Sequence, residues 1–212
     1  MLATLGVGAG IGKNQINVSV GTFVPKPHTP FQWEKQLTIE ESTAYFRRLS
    51  DKLPSKGANL RYHNPRVSYL EGVFSRGDRR CASLIENAWQ HGARLDGWTE
   101  HFSIDVWQLA AQNCNLSLDN YLRARDLDEI LPWDHLQTGV DIQFLKDELT
   151  KGKAEGYTPD CRYHDCQKCG VCDFDTILPI VHNRKHDLPA PEQKPRKKAI
   201  AENEGHFKYL VH

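Results

Sequence analysis

The sequence of 212 residues contains no run of ~18 consecutive apolar residues, the length a helix needs to cross a bilayer, so no membrane span is expected. It has no excess of charge either: 27 Lys and Arg stand against 27 Asp and Glu. A neutral chain offers no general attraction to nucleic acid or to anionic lipid. The first residues lack a charged segment running into an apolar core and a cleavage site, so no secretory leader is read. A reducing cytosol is therefore the expected compartment. What remains is ordinary for a globular protein, with 25% charged and 39% hydrophobic residues.

The six cysteines are distributed unevenly. Cys81 and Cys114 stand alone, whereas Cys161, Cys166, Cys169 and Cys172 fall within one short run. A disulfide framework would spread its cysteines across a small secreted chain. Four close thiols without an export signal point to a metal instead. The spacing is C-x4-C-x2-C-x2-C, and Gly170 relieves crowding where the backbone must fold around a centre. Thiolates suit tetrahedral zinc in a closed structural site. They equally suit an iron–sulfur cluster, whose bacterial ferredoxin ligand run also uses successive C-x2-C steps. Spacing leaves the two metals even. His164 is a lesser candidate to replace one thiol.

Hydrophobic periodicity divides the rest. Gly6, Gly8, Gly10 and Gly12 match no phosphate-loop spacing and read as a lead-in. Ile16, Val18 and Val20 alternate with polar residues, predicting a strand that continues to Phe23. Pro25, Pro27 and Pro30 stop it and stiffen the following loop. Thr38 with Glu41 forms a capping box that opens a helix carrying Ile39, Phe46, Leu49 and Leu53 on one face. Leu60-Arg61-Tyr62 reads as a second strand, so strand, loop, helix and strand suggest a parallel α/β unit.

From Asn64 onward short helices are expected. Asp78 is read as the cap of one bearing Cys81, Leu84 and Ala88, with Cys81 a buried structural thiol. Ser103 precedes Ile104 and Trp107, Ser117 precedes Tyr121 and Leu122, and Asp141 precedes Ile142, Leu145 and Leu149. Residues 176–212 hold four of the eleven prolines and the cluster Arg196-Lys197-Lys198, the composition of a linker with a solvated charge run. Nucleic-acid binding by that tail is the lesser reading. His206 to Val211 alternates like the beginning of a strand.

Softer candidates remain. His28 lies in the proline loop and His63 follows the second strand, where α/β folds collect binding groups. Arg61, Arg66, Glu71, Arg76, Asp78, Arg79 and Arg80 form a dense polar run. Surface ion pairing is the bland reading of that run, and a substrate-facing surface the sharper one. Trp98 and Trp133 each stand near a carboxylate and a histidine and are expected to fill the core of the helical part. No nucleophile, base and orienter set supports a hydrolase.

Several stretches together resemble a family of bacterial radical SAM proteins that carry an N-terminal cobalamin-binding-like domain. They are Val20-Gly21-Thr22-Phe23-Val24-Pro25-Lys26-Pro27-His28-Thr29-Pro30-Phe31-Gln32-Trp33, then Tyr62-His63-Asn64-Pro65-Arg66 running into Leu70 to Arg80. Gly97-Trp98-Thr99-Glu100-His101-Phe102, Leu131-Pro132-Trp133-Asp134-His135 and Thr158-Pro159-Asp160-Cys161 follow in the family's order, over roughly residues 15 to 175. The loop from Pro25 to Pro30 is similar to a Pro-x-Pro-Gly-Thr loop late in many such enzymes, with His28 replacing the glycine.

The resemblance implies an α/β fold: the last β/α units of a partial TIM-like barrel over 1–62 and a helical extension over 63–157. A four-cysteine knuckle follows over 158–175, then a linker and the start of another domain over 176–212. It tilts Cys161, Cys166, Cys169 and Cys172 toward an auxiliary 4Fe–4S cluster rather than zinc. It gives Pro25, Pro27 and His28 a place near the cofactor S-adenosylmethionine. The C-x3-C-x2-C motif that holds the radical-forming cluster occurs nowhere in the chain. The expectation is thus a fragment of a radical SAM enzyme, inactive alone, whose partner is the missing N-terminal half. A zinc-stabilised helical interaction module without catalytic activity is the alternative. The substrate is not legible.

Overall fold

The computed structural model describes residues 16–54, 57–174 and 176–178. Those residues divide into two compact units, one ending at Thr138 and one beginning at Gly139. Among them no helix is long and apolar enough to cross a membrane. The glycine lead-in, the basic cluster at 196–198 and the strand-like segment 206–211 lie outside the described residues.

In the first unit, strand β1 (Ile16–Val20) is followed by helix α1 (Ile39–Lys52) and strand β2 (Ala58–Tyr62). The strands pair in parallel, with Asn17 opposite Asn59 and Val20 opposite Tyr62. One face of the pair carries half-buried Val18, Val20 and Leu60, and Phe46 of α1 stacks on Tyr62 with ring centroids 4.9 Å apart. The other face carries exposed Asn17, Ser19, Asn59 and Arg61. α1 begins with the expected capping box: Glu41 N–H donates to Thr38 Oγ1 at 3.1 Å, and Thr38 N–H donates to Glu41 Oε2 at 2.8 Å. The expected strand, loop, helix and strand are present, although β1 ends at Val20 rather than Phe23.

The larger α/β expectation fails. Among the described residues the sheet has two strands, six helices dominate, and no TIM-like barrel units are seen. The reason lies after β2, where the chain turns to helical periodicity and its helices pack on one another instead of on a sheet. Helix α2 (Pro65–Arg76) is the hub, touching α1, α4 (Ile104–Asn113) and α5 (Asp119–Leu122). Asn64 caps it by accepting from Arg66 N–H at 3.0 Å, and Pro65 supplies a preset first turn. Helix α3 (Cys81–Gln90) packs on α4, and Val73, Leu84, Ala88, Trp107 and Ala110 form the centre of the core.

Three local expectations are corrected. Asp78 is not the cap of α3; the N-cap is Arg80, whose N–H donates to Asp78 Oδ1 at 2.9 Å. Trp98 does not fill the core, being 62% exposed, while Trp133 does at 5%. Arg76 is neither a surface ion pair nor substrate-facing. It is fully buried, donating from Nη1 to Glu34 O at 3.0 Å and from Nη2 to Arg123 O at 2.9 Å and Gln32 O at 3.4 Å. Burial pushes its pKa down to about 10, helped by the like charges of Arg125 and Arg123 and opposed by Glu129. It stays charged at neutral pH, and charged donors on carbonyl oxygens make strong hydrogen bonds.

Replacing Arg76 with Met should destabilise the protein by about 3–5 kcal/mol, because buried carbonyls lose a charged donor. Lys in its place should rescue little, since one ammonium cannot span the fork. Urea unfolding midpoints check both. At Gly72 an added Cβ would run into Gln36 Oε1 and lie 2.8 Å from Leu122 Cδ2. Gly72→Ala should therefore cost about 1–3 kcal/mol by overpacking, despite the better helix propensity of alanine, and the same unfolding measurement reads it.

Candidate thiolate centre

The four cysteines lie in the second unit, on a strap that runs along helix α6 (Ile142–Lys153). Asp141 caps α6 as expected, its Oδ1 accepting from Gln143 N–H at 2.7 Å. The helix ends in a Schellman turn. Gly156 N–H donates to Lys151 O at 2.8 Å and Glu155 N–H to Gly152 O at 3.0 Å, with Glu155 left-handed at φ 59°. The turn sends the chain back beside the helix it has just left. There the Thr158 hydroxyl donates to Glu148 Oε1 at 2.7 Å and accepts from Lys151 Nζ at 2.6 Å.

Asp160 then organises a second turn, accepting from Arg162 N–H at 2.9 Å while its carbonyl takes Tyr163 N–H at 3.0 Å. The Arg162 guanidinium holds the Asp160 carboxyl down at about 2. Cys166 to Gly170 fold tightly. Lys168 N–H donates to Cys166 Sγ at 3.3 Å, and Lys168 and Gly170 are both left-handed, at φ 57° and 89°. Asp141 N–H closes the strap by donating to Cys169 O at 2.8 Å.

All four cysteines are free of disulfides; Cys166 is exposed, and Cys161, Cys169 and Cys172 are half-buried. Desolvation pushes the Cys172 thiol up, and the neighbouring Cys169, Cys161 and Cys166 add to the shift. They are not drawn into a bonded tetrad: among the described residues no three His, Cys, Asp or Glu side chains form a metal-holding group. An all-sulfur donor set of this kind suits zinc or an iron–sulfur cluster and disfavours hard cations. His164 is exposed.

The other sequence candidates lie in the first unit. Pro25 is buried, and Pro27 and His28 are half-buried. His28 is left-handed at φ 57°, the conformation that glycine, present at this place in the resembled loop, adopts freely. Its N–H donates to Gln32 Oε1 at 2.9 Å, and Thr29 Oγ1 donates to Lys26 O at 2.7 Å. These contacts make the loop a rigid plug whose end, Gln32 and Trp33, enters the core. The cofactor role of Pro25, Pro27 and His28 rests on the resemblance alone. A hollow of about 370 Å³ between α1 and the start of α2 is lined by Phe46, Arg47, Tyr62 and Arg66 and includes none of them. Cys81 is buried as expected, and Cys114 Sγ lies 3.5 Å from Ser83 O at the end of α4.

Sequence reasoning missed the anchors of the strap. Glu148 and Lys151 are neighbours by helical i,i+3 spacing, but Thr158 reaches them only because the Schellman turn reverses the chain. Comparison with known proteins adds no assignment: no family model, no curated protein and no solved structure matches this chain.

Proposed function

We propose that the chain is the cysteine-bearing part of an S-adenosylmethionine radical protein, in which Cys161, Cys166, Cys169 and Cys172 hold an iron–sulfur cluster auxiliary to the radical-forming one. The observation that carries the metal centre is the strap, which brings four free thiols within one short run and sets a backbone N–H on the sulfur of Cys166. The ordered motifs from Val20 to Cys172 supply the protein class. When bound, a cluster of this type provides one-electron redox chemistry at a potential set by hydrogen bonds to its sulfurs and by exposure to solvent. In this chain Lys168 N–H places one such hydrogen bond on the sulfur of Cys166, and the exposure of Cys166 puts one proposed ligand at the surface. Radical initiation does not belong to these residues, because no C-x3-C-x2-C spacing is present. It falls to a partner segment or polypeptide.

Anaerobic reconstitution with iron and sulfide should give a broad visible absorption and about four irons per chain. One colourless, tightly held zinc with no iron uptake overturns the cluster and leaves the zinc-stabilised interaction module. Cys169→Ser should abolish metal content and loosen the strap, since metal loops rarely keep their structure without the ion. Metal analysis with amide exchange over residues 156–172 checks this, and full metal content in the variant refutes the ligand set.

A further inference from the structure

The cysteine strap is fastened at both ends to one helix. At the C-terminal end of α6, Thr158 bridges Glu148 and Lys151. At the N-terminal end, Asp141 N–H holds Cys169 O at 2.8 Å. The residue after Cys169 fixes how closely the strap approaches. Gly170 is left-handed at φ 89°, and a Cβ built on it would stand 3.2 Å from Gly139 O and 3.4 Å from both Asp141 N and Asp141 Cβ. Any side chain there carries a left-handed penalty and presses on the backbone where α6 begins.

From this arrangement we propose that α6 is the mount of the thiolate centre and Gly170 the residue that seats it, so that metal occupancy and the stability of α6 are reciprocally coupled. The inference rests on the four-cysteine site proposed above. Ions that bind only the folded strap stabilise whatever holds the strap in place. Conversely, anything that loosens either fastening lets the thiolates separate and weakens the ion. Gly170, Thr158, Glu148 and Lys151 are positioning residues in this scheme; they act on the metal through the geometry of the loop.

Titration of the intact chain with cobalt(II), whose thiolate absorption reports binding directly, tests the coupling. Gly170→Ala should weaken cobalt affinity about 10–100-fold, the usual loss when a residue supporting metal ligands is changed. Thr158→Val, which breaks the other fastening without straining the backbone, should weaken it in the same direction while the far-UV circular dichroism stays unchanged. Lys168→Gly, which relieves a left-handed residue without touching either fastening, should keep wild-type affinity or improve it. In hydrogen exchange, cobalt should slow the amides of α6 and leave those of α1 unaffected. Wild-type affinity in both Gly170→Ala and Thr158→Val, or α6 amides indifferent to cobalt, overturns the mount while the four-cysteine site stands. A wild-type chain that binds no cobalt overturns the site itself.

Discussion

The guanidinium of Arg76 holds the larger unit together. It sits at the end of α2 with no exposure, and its donors reach the carbonyls of Gln32, Glu34 and Arg123. Those carbonyls belong to two irregular segments, the loop before α1 and the chain leaving α5. Irregular backbone inside a protein leaves acceptors that no ladder satisfies, and a planar fork with five donors can serve three of them at once from spread directions. The neighbourhood is arranged around this charge. Arg125 N–H donates to Trp33 O at 2.8 Å and Gln36 N–H to Leu122 O at 2.9 Å, stitching the same two segments directly. Glu129 balances the local positive charge by accepting from Arg123 at 2.6 and 2.9 Å and from Arg125 at 3.4 Å. Remove the guanidinium and three carbonyls lose their donor at once.

The parallel strand pair has a different standing. Parallel sheets ordinarily bury both faces beneath helices, and a two-stranded sheet has little stability of its own. Here α1 covers one face, and the opposite face carries an Asn17–Asn59 side-chain hydrogen bond of 3.2 Å beside Ser19 and Arg61. The pair is held by the packing of α1 against α2 and by Phe46 on Tyr62 rather than by a sheet core. That division explains why a strand, helix, strand pattern did not extend into a barrel: the apolar residues needed for a second covered face are not in these strands.

What could be read from the sequence was local. The box of Thr38 and Glu41, the cap at Asp141 and the buried thiol of Cys81 follow from side chains within a few positions of the backbone groups or faces they serve. The cysteine run stands out for the same reason, because its four thiols are close in sequence. Arg76 was not, since its burial depends on carbonyls 42 to 47 residues away and arginine is almost never buried unpartnered. Trp98 and Trp133 show the same limit. They share a composition of neighbours, yet Trp133 finds Gln32 Oε1 for its indole N–H at 2.7 Å, while Trp98 sits in an exposed turn. The apolar Ile130-Leu131-Pro132 before Trp133, against Asp96-Gly97 before Trp98, is a local difference between them.

The bond between Trp133 and Gln32 joins positions 101 residues apart in the chain. During synthesis, elongation runs at about 5–20 residues per second, so the proline loop waits several seconds before its indole partner exists. Until then Gln32 Oε1 has only the N–H of His28. Contacts of such span also make loop closure the slow part of folding. The core cluster of α2 to α5 is complete in the chain by Leu122, and Trp133 comes after it to close over the end of the proline loop.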